Sequence, residues 1–348
     1  MRVVILISLV VAVLSAPIRQ SNDISQLHTL DFNSYWTYDE IVDYMRQLET
    51  DHPNIARVMQ MGRTERGVEI WGLRIVLEEH LETEELPVVL VTAGAIARDW
   101  IAVMSAVDVM HMLVEHYHSY GPIVDNLEWF IIPVANPDGY IFSMETEENR
   151  GWVKNRRVNS GSQCIGVNIE RNFDYNWGTG IGSSDDPCDD NFYGPAADSE
   201  EETKTIQFAV DIFRRIQHAY ISIQANTVGF NGAITFPYAS SPEGIPNNWE
   251  EQGLVAAQMS TAVRRETGAR YLTASFSNIQ EPADGTSMDY AVGVDNIPLA
   301  YTIFTPAAGE FGWDVPAWRI NPIVDQVWYA VESLARYAVD MPLENTSV

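Results

Sequence analysis

Positive charge is scarce in this chain. Lys and Arg total 21 against 48 Asp and Glu, for a formal net charge of −27 and an isoelectric point near 4.4. Such a surface repels phosphate backbones and anionic lipid, so neither nucleic acid nor a membrane is expected as a partner. A solvated acidic exterior accounts for the charge, with attraction of basic partners as the minor alternative. After the first few residues no stretch is long and apolar enough to cross a bilayer. Low-complexity segments long enough to act as linkers are missing, and no internal repeat is visible. One large domain fits the remaining length better than two small ones. Cysteine is nearly absent, with only Cys164 and Cys188.

What is present begins with Met1 to Ala16: a cation at Arg2, an apolar run from Val3 to Leu14, then Ser15 and Ala16. This pattern reads as a secretory signal, too short for a span of about 20 residues, with a buried first strand as the alternative. Pro17 disfavours a cut directly before it, which places cleavage a residue or two away. The division that follows is 1–16 signal peptide, 17–35 short N-terminal extension, 36–341 folded domain and 342–348 tail. A secreted, extracellular destination is oxidising, so Cys164 and Cys188 are expected to bridge. Closing that loop is worth roughly 3 to 4 kcal/mol by chain entropy. A two-cysteine metal site is the alternative, without a nearby histidine to complete it. Asn345-Thr346-Ser347 is a sequon, making Asn345 a glycosylation candidate.

Alternating and β-branched runs predict strands over Ile55–Met61, Ile70–Val76, Pro87–Thr92, Leu127–Pro133, Ala219–Gln224 and Leu299–Thr305. Three- and four-residue apolar spacing predicts helices over Trp100–His118, Ser199–Gln217, Asn248–Glu266 and Asn321–Val339. Ser199 and Glu202 have the spacing of a capping box. Strands alternating with long helices imply an α/β fold: a single domain with a twisted, mixed, largely parallel β-sheet and helices on both faces. Ligand sites in such sheets lie beyond the carboxyl ends of the strands, here Thr92–Asp99, Asn136–Tyr140, Gln224–Asn226 and Phe304–Pro306.

From about Tyr38 to the last helix the chain resembles the A/B-type zinc metallocarboxypeptidases, peptidase family M14. The matching stretches are Ala97-Arg98 with Trp100-Ile101, Asn136-Pro137-Asp138-Gly139-Tyr140, the Trp152 region, and Arg171-Asn172-Phe173. The Cys164/Cys188 pair, Gly309 with Gly312, and Pro316 extend the match. Their order and spacing carry the resemblance, and residues 36–341 become a carboxypeptidase-like domain.

The resemblance implies zinc held by a His-x-x-Glu pair and a second histidine on a later strand, three ligands plus water. Here those positions read Ile96, Asp99 and Gln224, which leaves one carboxylate and one amide as donors. The Gly-Val-Asp whose carboxylate orients a ligating histidine reads Gly166-Val167-Asn168. His111, His116 and His118 share a predicted helix without four-residue spacing and are read as helix-surface residues. The general-base position is Phe304, the oxyanion-stabilising arginine position is Val153, and Glu310 is expected to point elsewhere. The pair that grips a C-terminal carboxylate is Glu170-Arg171, where Glu170 would neutralise Arg171 or repel the ligand. A mobile tyrosine aligns with Glu281, and the floor of the specificity pocket aligns with Met288. Arg98, Glu170, Arg171, Glu281 and Met288 are therefore the cleft candidates.

Without metal, an attacking water returns from a pKa of about 7 toward about 15.7, roughly 12 kcal/mol of lost activation. Missing oxyanion stabilisation adds about 3 kcal/mol. The expectation is a secreted, monomeric, catalytically inactive member of the family that binds a peptide or protein in the degenerate cleft, with no cofactor. The resemblance begins without the inhibitory prosegment found in many secreted members, which fits a protein with no activity to restrain. One alternative is an active zinc enzyme with a rearranged site that removes C-terminal apolar residues. Another is a structural or storage protein of a secreted fluid.

Overall fold

The computed structural model describes residues 30, 32–80, 86–213, 217–226, 232–241 and 243–341. The predicted signal region, most of the predicted N-terminal extension, and the tail with Asn345 lie outside them. Among the described residues the strands are β1 (Ala56–Arg63), β2 (Glu69–Ile75), β3 (Val88–Ala93), β4 (Glu128–Ile132), β5 (Gln217–Ala225), β6 (Ala233–Phe236), β7 (Leu272–Ser275) and β8 (Leu299–Thr305). The helices are α1 (Tyr38–Asp51), α2 (Trp100–Glu115), α3 (Gly121–Asp125), α4 (Pro137–Glu145), α5 (Glu201–Phe213), α6 (Trp249–Thr267), α7 (Phe276–Ile279), α8 (Ser287–Gly293) and α9 (Ile320–Val339).

The strands form one sheet in the order β1-β2-β4-β3-β5-β8-β6-β7. Its centre, β4-β3-β5-β8, is parallel throughout. Antiparallel pairing appears toward the edges, at β1/β2, β2/β4 and β6/β8. All six predicted strands are present with ends displaced by at most two residues.

Alternation along the central strands divides the core in two. Val89, Val91, Ile221, Ile223, Tyr301 and Ile303 join a cluster with α1, α2, α6 and α9. Leu90, Tyr220, Ala300 and Phe304 join another with α5 and α8. Every residue of β3 is buried, as a strand covered on both faces requires.

Seven elements escaped the sequence reading: α1, the short helices α3, α4, α7 and α8, and the strands β6 and β7. The helix α1 is announced by a capping box, in which Thr37 Oγ1 accepts from Glu40 N at 3.3 Å while the Glu40 carboxylate accepts from Thr37 N at 2.7 Å. The strands β6 and β7, four residues each, are too short to show a period. The helix predicted over Ser199–Gln217 is shorter, because Gln217 already belongs to β5. Its proposed capping residue acts differently too: Ser199 Oγ donates to the Glu200 carboxylate at 2.5 Å. The helix predicted to His118 ends at Glu115, and Tyr117–Ser119 follows as a 3-10 turn.

Candidate functional site

Because β4, β3, β5 and β8 run parallel, their carboxyl ends share one edge of the sheet. Asn136 stitches two of them, with Nδ2 donating to Ala95 O at 3.1 Å and its backbone amide to Gly94 O at 3.0 Å. Gly94 has φ +64°, and a methyl group there would lie 2.9 Å from Val103 Cγ2, so the turn from β3 into α2 requires glycine. That turn delivers Ile96, Arg98 and Asp99 to the edge.

Asp99 immediately precedes α2, yet its side chain makes no hydrogen bond to the start of that helix. Its Oδ2 instead accepts from Ala225 N at 2.8 Å, at the end of β5. Burial pushes the Asp99 carboxyl up to about 6, against the pull of Arg98, the Ala225 amide and Arg150. Ile96 is half-buried and offers no donor. Gln224 is buried, and its Nε2 donates to Ser222 Oγ at 3.1 Å.

Gln224 stands in register with Phe304 on β8. Phe304 is buried and packs on Phe276, ring centroids 5.6 Å apart. Met288 joins the same apolar cluster, its sulfur accepting from Thr302 Oγ1 at 3.6 Å. Val153 is buried as well, and its carbonyl accepts the Ala97 amide at 2.9 Å.

Glu170 and Arg171, expected to neutralise each other, point to different partners. The Glu170 carboxylate accepts from Ser287 Oγ at 2.9 Å, Ser287 N at 3.2 Å and Ser222 Oγ at 3.4 Å. Burial holds it above the usual carboxylate range, with these bonds and Arg171 opposing. Arg171 donates from Nε to Gly182 O at 2.8 Å and from Nη1 to Glu170 O at 2.7 Å. Adjacency in sequence does not make an ion pair inside the tight 3-10 turn Ile169–Arg171, which sends neighbouring side chains in different directions. Asn168 begins this turn, its Oδ1 accepting from Glu170 N at 3.0 Å. Glu281 and Glu310 are exposed.

One cation was missed. Arg150 lies 3.6 Å from the ring centre of Trp100 and 4.8 Å from that of Trp313, and donates to Arg98 O at 2.7 Å. Burial pushes it down to about 10, so it stays charged at neutral pH. Arg98 lies 5.1 Å from the Trp313 ring centre, so both arginines share one aromatic side. The alternating Arg and Trp of this region are the only sequence trace of that cluster.

The donors at this edge do not fit a catalytic zinc. Zinc takes imidazole, thiolate and carboxylate ligands; the positions of Ile96, Asp99 and Gln224 offer one carboxylate, its Oδ2 already bonded to Ala225, and an amide bonded to Ser222. Among the described residues no three His, Cys, Asp or Glu side chains are grouped to hold a metal ion. His111 is buried rather than exposed on its helix, with Nδ1 2.7 Å from Tyr44 Oη and its ring 5.2 Å from that of His116. The cysteines form the expected disulfide, Cα atoms 5.1 Å apart.

The zinc carboxypeptidase family profile matches residues 41–330, and the chain belongs to that family. It is 27% identical to carboxypeptidase B of Astacus astacus over 89% of this chain and 99% of that one. Carboxypeptidase A1 of Bos taurus is 29% identical over 90% of this chain and 72% of its own length. Among solved structures, carboxypeptidase A from Helicoverpa armigera superposes with a TM-score of 0.81 at 27% identity, covering 91% of this chain and 78% of that one.

Proposed function

We infer that this protein is a secreted carboxypeptidase-like protein that does not hydrolyse peptides and instead holds a peptide or secreted protein in the family's cleft. The observation that carries this reading is the engagement of Asp99 with the Ala225 amide. At the position the resemblance gives to a zinc ligand, the carboxylate has become a strut between α2 and β5. Ile96, Gln224 and Phe304 support the same conclusion, since none supplies an imidazole or a proton acceptor.

Arg98, Arg150 and Arg171 bring guanidinium groups to this edge, so ligands with carbonyl or carboxylate groups suit it. The residues 1–16 direct the chain to an extracellular fluid in this reading.

The test is elemental analysis of protein secreted from a eukaryotic host and never exposed to chelator, beside release assays on peptides with basic, acidic and apolar ends. Near-zero zinc and no release are expected. About one zinc per chain with turnover restores the active-enzyme alternative. A triple variant, Ile96→His with Asp99→Glu and Gln224→His, is expected to gain about one zinc per chain, because it rebuilds three ligands. Failure of a folded triple variant to take zinc would remove the assignment of these positions.

A further inference from the structure

Every residue from 178 to 182 is exposed, inside the disulfide ring, yet the group that holds this loop is buried beneath it. Asp284 is fully buried, and one of its oxygens, Oδ2, collects four donors. These are Thr179 N at 2.8 Å, Thr179 Oγ1 at 2.7 Å, Gly180 N at 3.0 Å and Ile181 N at 3.4 Å. Successive backbone amides turned on one oxygen form an anion nest, here filled by the protein's own carboxylate. The backbone returns the contact, Asp284 N donating to Ile181 O at 2.8 Å. At Gly182, with φ +64°, the two segments approach so closely that a methyl group would lie 2.1 Å from Pro282 O.

The residues on either side of Asp284 are fixed as well. Ala283 N donates to Ala239 O at 2.9 Å. Gly285 bonds to the stretch after Arg171, its carbonyl accepting from Phe173 N at 3.1 Å and its amide donating to Tyr175 O at 3.2 Å. Arg171 therefore lies between two arms of one clamp: its backbone rests against Gly285, and its guanidinium reaches Gly182 O through Nε at 2.8 Å. Nη1 is tied to Glu170 O at 2.7 Å. Both Nε and Nη1 thus have acceptors within the protein before any ligand arrives. Burial pulls Arg171 below the ordinary arginine range, and the charges of Glu170 and Asp284 oppose that pull.

We propose that Asp284 is a positioning residue for Arg171: its carboxylate holds residues 179–182, Gly182 in turn sets the guanidinium, and this wall of the cleft is preformed rather than closed by its ligand. The bearing on a ligand rests on the cleft being a binding site; the positioning does not. A donor already in place costs a ligand less ordering than a loop that must first close. The carboxylate is the suited group, because an amide there keeps an acceptor but drops the charge that strengthens bonds from several N–H groups at once.

The experiment follows the Arg171 Nε–H signal by NMR in the full secreted chain, identified by its loss in Arg171→Lys, with amide exchange of residues 179–182 beside it. No ligand is added, so the result is independent of whether a peptide binds or zinc is held. One slowly exchanging Nε–H signal is expected in the wild type. In Asp284→Ala that signal is expected to shift and to exchange freely. Exchange in residues 179–182 is expected to quicken roughly ten- to hundredfold beyond any change in β3, as the loss of charge-assisted bonds implies. Asp284→Asn, which keeps an acceptor, is expected to recover part of both effects. An unmoved Arg171 signal in folded Asp284→Ala would overturn the proposal. Should that variant not fold, the wild type decides: a slowly exchanging Arg171 Nε–H supports the positioning, and one that exchanges as freely as an exposed arginine overturns it.

Discussion

The two faces of the central sheet come from the same three strands, and both carry apolar clusters, but polar groups are interleaved with one of them. On one, Val91, Ile221, Ile223, Tyr301 and Ile303 meet α2 and α9 in an apolar layer. On the other, hydroxyls cross the sheet in register, Thr92 beside Ser222 and Ser222 beside Thr302, followed by Gln224 beside Phe304. Around that second face the buried acids Glu170, Glu200, Glu202 and Asp289 are held by amides and hydroxyls. The first face fixes the fold through non-directional burial. The second depends on particular partners, so its chemistry can change while the architecture persists.

Breaking the apolar face is expected to cost most. Trp328 on α9 is fully buried, and Trp328→Ala is expected to lower stability by ~4 kcal/mol, measured as a shift of the urea midpoint at constant slope. Removing the disulfide with Cys164→Ala and Cys188→Ala comes next, at about 3 kcal/mol by the same measurement. On the polar face, Asp289 accepts from Ala239 N at 2.7 Å, Ser240 N at 2.9 Å and Ser240 Oγ at 2.7 Å. Asp289→Ala strands those donors, and a loss of ~2 kcal/mol is expected.

That site also sharpens the contrast through pH. Burial pushes Asp289 up to about 6, so the folded state keeps its proton longer than the unfolded chain and stability falls as pH rises from about 4 through 6. Asp289→Asn is expected to flatten this contribution in a pH series, whereas Trp328→Ala leaves it in place. The smallest effect belongs to the helix outside both faces: Thr37→Ala breaks the α1 capping box and is expected to cost about 1 kcal/mol by thermal unfolding.

The apolar face is also the part that was legible in the sequence. The run Val88 to Ala93 and the periods of α2, α6 and α9 reflect burial, which repeats along the chain and shows in hydrophobicity alone. The assignment of Ile96, Gln224 and Phe304 to ligand and base positions rests on the order of the stretches around them. Where side chains point was not legible. Sequence gives no sign that Asp99 would reach Ala225, that Glu170 would turn to Ser287, or that Glu202 would share Asn155 with Glu200, because each partner lies 45 or more residues away. Arg150 was passed over for a similar reason, since its two flanking rings come from separate parts of the chain.

The link between Cys164 and Cys188 makes the intervening chain, with Glu170 and Arg171 on it, a covalent ring. A protease that cuts once inside that ring produces two fragments that stay joined until a reductant arrives. Several of those residues are exposed, including Asp185, Asp186 and Asp189, and would be open to such a cut. In a fluid rich in proteases, a nicked molecule would still migrate as one chain without reductant. Its two halves would stay close enough to keep the wall assembled, so clipping and loss of the cleft would be separate events.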